Sequence, residues 1–138
     1  MVKEFVQQWE ENKESLREYF KNTKQEKYST YEKIVEKLFE ICIPNTGRSY
    51  GDKWELGSIT VVDDGDYQGT QLYIIPTNKY QPSMEDYIIV DNYYGSCSGC
   101  DALQGISNYD YDLPSDSQVE EYMTLCLHLV QRIRWVVE

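Results

Sequence analysis

Apolar residues recur at three- and four-residue spacing through Val2, Phe5, Val6, Trp9, Leu16, Tyr19 and Phe20, with Glu and Lys between them. That period predicts an amphipathic helix over about 3–20. A polar stretch, 22–27, follows. Ser29 with Glu32 three residues on spells a capping box ahead of Tyr31, Ile34, Val35, Leu38, Ile41 and Cys42, so a second helix is expected over about 30–42. Pro44, Asn45 and Gly47 end it, and Trp54 is expected to anchor the loop beyond to the core. The period then changes to that of strands. Residues 58–63 and 69–76 are β-branched and apolar runs flanking the turn-rich DDGDYQ, which makes a hairpin. A third strand is expected over 86–93, and a short helix near Cys100 to Gly105. Ser115 or Ser117 caps the last helix, with Gln118 or Glu120 as reciprocal partner. Its apolar face runs through Val119, Tyr122, Met123, Cys126, Leu129, Val130 and Ile133, and Arg132 and Arg134 suit its C-terminal end. The expected fold is α+β: a three-stranded antiparallel sheet packed by two N-terminal helices and a long C-terminal one.

With 138 residues the chain is one domain's worth, and 41% hydrophobic content is enough for a core. No apolar run reaches the length of a membrane span. The N-terminal MVKEFVQQWEENK carries charges where a secretory signal needs an apolar stretch, so a cytoplasmic location is expected.

Charge changes the picture more. Residues 1–50 hold nine Lys and Arg against nine Glu and are neutral. Residues 51–138 hold four cations against fifteen acids, which accounts for the whole net charge of -11. Between Lys79 and Arg132 there are nine acids and no cation. Such a field disfavours direct binding to nucleic acid or anionic membrane and steers a basic partner instead. Seven of the thirteen tyrosines fall in the same cation-free stretch, where rings and carboxylates together suit Arg- and Lys-rich surfaces. The expected partner-binding set is Asp63, Asp64, Asp66, Asp91, Tyr109, Asp110, Tyr111, Asp112 and Asp116.

The remaining chemistry is sparse. Cys97-x-x-Cys100 could be a tight structural turn, a redox pair or half of a zinc site. Zinc would need two more ligands from Cys42, Cys126 and His128, and Cys126 and His128 lie on different faces of one helix. No cofactor is therefore expected. Asp63, Asp64 and Asp66 do not follow the spacing of a calcium loop, and Asp and Gly are ordinary hairpin-turn residues. The single histidine, His128, sits in LCLHL and is expected in or beside the core, which leaves histidine-based catalysis poorly supplied. Without a phosphate loop either, the chain is more a binding protein than an enzyme. A small-ligand protein remains an alternative; it would need a deep pocket between sheet and last helix.

The segments VDDGDYQGTQLYIIP (62–76) and YGSCSGCDALQGI (94–106) together resemble a group of small phage and prophage proteins with no assigned activity. The resemblance covers 62–106. It implies a context in which small acidic proteins often inhibit host factors or CRISPR-type defence systems, some by imitating the charge of nucleic acid.

Overall fold

A computed structural model describes residues 2–25, 30–48, 51–65, 69–95, 101–106 and 113–137. The chain folds as α+β, with helices packed on an antiparallel sheet.

Helix α1 spans Val2–Asn22 and buries Phe5, Trp9, Leu16 and Phe20, the stripe its sequence period marks out. Helix α2 spans Tyr31–Lys37 and closes with a π-helical turn over Leu38–Cys42. Its N-cap is Thr30, whose hydroxyl accepts from the Lys33 amide; the expected capping residue, Ser29, lies outside the described residues. The carbonyls at the end of α2 find side-chain donors. Asn12 of α1 donates to the Cys42 carbonyl (3.1 Å), and the Trp54 indole donates to the Ile43 carbonyl (2.7 Å). Gln8 exchanges two bonds with the Asn45 backbone. Polar residues of α1 thus finish a neighbouring helix whose last turn lacks partners of its own. Gly47, in the turn that follows, has φ +76°, a conformation that favours glycine.

Strands β1 (Thr60–Asp63), β2 (Gly69–Pro76) and β3 (Tyr87–Tyr94) form an antiparallel meander. Helices α3 (Ala102–Ile106) and α4 (Asp116–Gln131) follow. The chain then adds a strand that the sequence reading did not expect. Here β4, Arg134–Trp135, pairs with Ile88 and Ile89 of β3, giving a sheet of four strands in the order β1-β2-β3-β4. The expected three-stranded sheet is corrected accordingly, and α4 stops at Gln131 instead of carrying Arg134 as a helical residue. The physical reason is Trp135, which packs against Trp54 and Phe5 with ring centroids 5.8 and 6.2 Å away, beneath the Arg48 guanidinium at 3.9 Å. The extended backbone that delivers this ring also lets the Val136 amide donate to the Tyr87 carbonyl (3.0 Å).

One face of the sheet, bearing Tyr73, Ile75, Ile88, Val90 and Trp135, is buried in the core. Helix α4 packs mainly along α1, where Phe20 and Tyr122 stack at 4.8 Å and Arg17 forks onto Glu120 at 2.8 and 3.2 Å. On the opposite sheet face Val62 and Tyr93 are exposed and Leu72, Ile74 and Ile89 half-buried. Among the described residues, no helix is long and apolar enough to cross a membrane.

Candidate functional site

The hairpin carboxylates come first. Asp63 accepts three kinds of donor: the Gly65 amide (2.9 Å) and the Tyr94 hydroxyl (2.6 Å) on Oδ1, and the Gln71 amide (3.0 Å) on Oδ2. These bonds, Gln71's foremost, favour the ionised form and hold the carboxyl below its ordinary range. Asp64 accepts from the Thr70 amide at 2.7 Å, and its own amide donates back to the Thr70 carbonyl. Both side chains therefore close the β1–β2 turn, as Asp does in turns generally. Asp66 lies outside the described residues.

The other expected residues do not converge on one spot. Asp91 stands on the open face of β3 and pairs with Arg134 of β4 at 2.7 Å. Asp116 is the first residue of α4, exposed, directly after the Ser115 cap that exchanges bonds with Gln118. Tyr109, Asp110, Tyr111 and Asp112 lie outside the described residues, as do Cys97 and Cys100. The described residues on either side of the two cysteines, Gly95 and Asp101, are tied together. Asp101, 5% exposed, accepts from the Gly95 amide (2.8 Å) and from the Tyr31 hydroxyl (2.8 Å), which in turn accepts from the Leu103 amide (3.0 Å). One buried carboxylate thereby links the end of β3, the start of α3 and α2. Burial pushes the Tyr31 hydroxyl well above its usual pKa.

Cys42 and Cys126 are free and buried. Burial pushes the Cys42 thiol up to about 12 and raises that of Cys126 as well, so neither is a thiolate at neutral pH. His128 departs from expectation. It is exposed, on the face of α4 turned away from the core, while Cys126 is fully buried on the other side. The two cannot bind one metal ion together, as their spacing indicated. Among the described residues, no three His, Cys, Asp or Glu side chains gather closely enough to hold a metal ion.

His128 instead lines a cleft of about 900 Å³ between α3 and α4, a site the sequence reading missed. Ala102, Ile106 and Leu125 supply its apolar surface, and Asp101, Glu120 and Glu121 its carboxylates. Gln118 of α4 donates to the Ile106 carbonyl of α3 (3.2 Å) and fixes one wall to the other. The cleft opens to solvent beside α4, so it is not the deep sheet-to-helix pocket expected of a small-ligand protein. Its signal was present in the sequence: positions 117, 121, 124 and 128 share one helical face, and that face is polar.

No family model, curated protein or solved structure matches the chain.

Proposed function

We propose that the protein is a non-enzymatic inhibitor that engages a basic, nucleic-acid-binding surface on a host or defence-system protein with the acidic surface of its second half. The observation that supports this most directly is the distribution of ion pairs. Four cations of the N-terminal helices pair with acids three residues away, Lys13 with Glu10 (2.9 Å), Arg17 with Glu14, Lys21 with Glu18 (3.9 Å) and Lys37 with Glu40 (3.0 Å), and Arg17 also reaches Glu120 of the second half (2.8 Å). In the second half Lys79 lies 3.8 Å from both Asp52 and Asp86, and Arg134 holds Asp91. Asp64, Asp116 and Glu121 are exposed with no ion-pair partner among the described residues. Their charges are left to act outward, where they raise the encounter rate with a positive surface.

The test leaves Asp63 and Asp64, which close the hairpin turn, untouched. Immobilised wild-type chain and a variant carrying Asp110→Lys, Asp112→Lys and Asp116→Lys are exposed to lysate of cells that express a nucleic-acid-targeting defence system. Captured proteins are identified by mass spectrometry, with and without competing duplex DNA. A protein retained by the wild type, lost by the variant and displaced by DNA is the expected result. Capture that is equal for both chains and indifferent to DNA rules the reading out.

A further inference from the structure

We propose that the groove between α3 and α4 seats a short basic and amphipathic segment of the protein partner, placing an aliphatic side chain on Ala102, Ile106 and Leu125 and an Arg or Lys against Glu121. The inference rests on the reading of the chain as a binder of basic proteins, and it locates where part of that recognition occurs.

Three observations carry it. The first is shape. On α4 the groove runs from Ser117 to His128, a span of about 16 Å at the helical rise. Its volume of about 900 Å³ lies at the upper end of ligand cavities, but it is open along its length, which fits a segment of chain better than an enclosed small molecule. The second is charge. Among the described residues the lining includes three acids and no Lys or Arg. Glu120 is already forked by Arg17 and Asp101 already accepts from Tyr31 and Gly95, which leaves Glu121 as the exposed carboxylate without an ion-pair partner. The third is the adjacency of that carboxylate to apolar surface. Arg and Lys lay their methylene stems on apolar atoms while the charged head reaches an acid at the rim. An acidic segment is disfavoured by the same charges, and a purely apolar one gains nothing from Glu121.

The probe is a synthetic peptide of alternating Leu and Arg, titrated into isotope-labelled protein at physiological salt, with a Leu and Glu counterpart as control. Expected are amide shifts concentrated at Ala102, Ile106, Thr124 and Leu125, and no binding of the Glu peptide. Glu121→Gln, an exposed change that removes one charge, should weaken binding about threefold. Ala102→Trp fills the groove from an exposed position and should abolish the localised shifts, while a dispersed spectrum reports that the fold is kept. Failure of the Arg peptide to bind overturns the proposal. So do shifts spread evenly over Asp64 and Asp116, or affinity unchanged by both substitutions. The partner captured in the preceding experiment separates the two readings: if Ala102→Trp still retains it, the groove is wrong and the acidic surface stands. If the wild type retains nothing that DNA displaces, the wider reading falls on its own.

Discussion

Asp63 shows how much one exposed residue can be committed to. Its folded pKa is depressed by Gln71, Tyr94 and Gly65, so the stability it contributes is present at neutral pH and disappears as pH falls through its folded value. Thermal unfolding followed from pH 6 to pH 3 should therefore show a drop below about pH 4 that is smaller in Asp63→Asn. The buried Asp101 predicts a different response. Tyr31→Phe removes the buried hydroxyl that donates to Asp101 and accepts from the Leu103 amide, and the loss of those two bonds should cost about 1–3 kcal/mol in chemical denaturation. Thiol labelling supplies a third check. Cys42 and Cys126, buried and protonated, should react only on unfolding, so any rapid reaction with the native chain belongs to Cys97 or Cys100. At this scale the sequence was partly legible. The turn role of Asp63 and Asp64 follows from residue type and position. The role of Asp101 depends on Tyr31, seventy residues away, and no local pattern carries that. His128 was misplaced because its immediate neighbours are apolar, although every fourth residue before it is polar.

Among the elements, β2 occupies the expected 69–76 and β3 lies one residue beyond the expected 86–93, because strand alternation and flanking turn residues agree there. The Ser115–Gln118 capping box is one of the pairings the sequence offered, and Ser115→Ala should lower stability by about 1 kcal/mol. The fourth strand was illegible for a physical reason. Ile133 continues the apolar period of α4, while Trp135, seven residues after His128, would fall on its polar face, so the local pattern offers both a helical and an extended ending. Tertiary packing decides between them, through Trp54, Phe5 and Arg48 around the indole. Trp135→Ala should accordingly cost about 3–5 kcal/mol, an effect far larger than a fraying C-terminus would give. The π-helical turn at Leu38–Cys42 was likewise hidden: its extra residue moves the buried face on by one, to Cys42 and Ile43, but Ile41, Cys42 and Ile43 are all apolar and read the same either way.

The whole molecule combines a net charge of -11 with several weak acids kept neutral by burial. Tyr31, Tyr73, Tyr122, Cys42 and Cys126 all have raised pKa values, with desolvation the first cause. The unfolded chain releases these protons first. Stability is therefore full below the unfolded values and is lost as pH rises through about 8.5 for the thiols and about 10 for the phenols. Denaturant melts at pH 7, 9 and 10.5 should show that progressive loss. The open sheet face and the outermost strand β1 bear on how copies of the chain meet one another. An edge of unpaired backbone next to Val62 is a template for a neighbour's strand. Asp63 and Asp64 stand at the end of that edge, inside a half that repels its own kind. Acid removes the two restraints in sequence: the net charge vanishes near the pI of about 4.5, whereas the Asp63 carboxyl, held below its ordinary range, takes its proton only at lower pH, so light scattering should begin before the hairpin loosens.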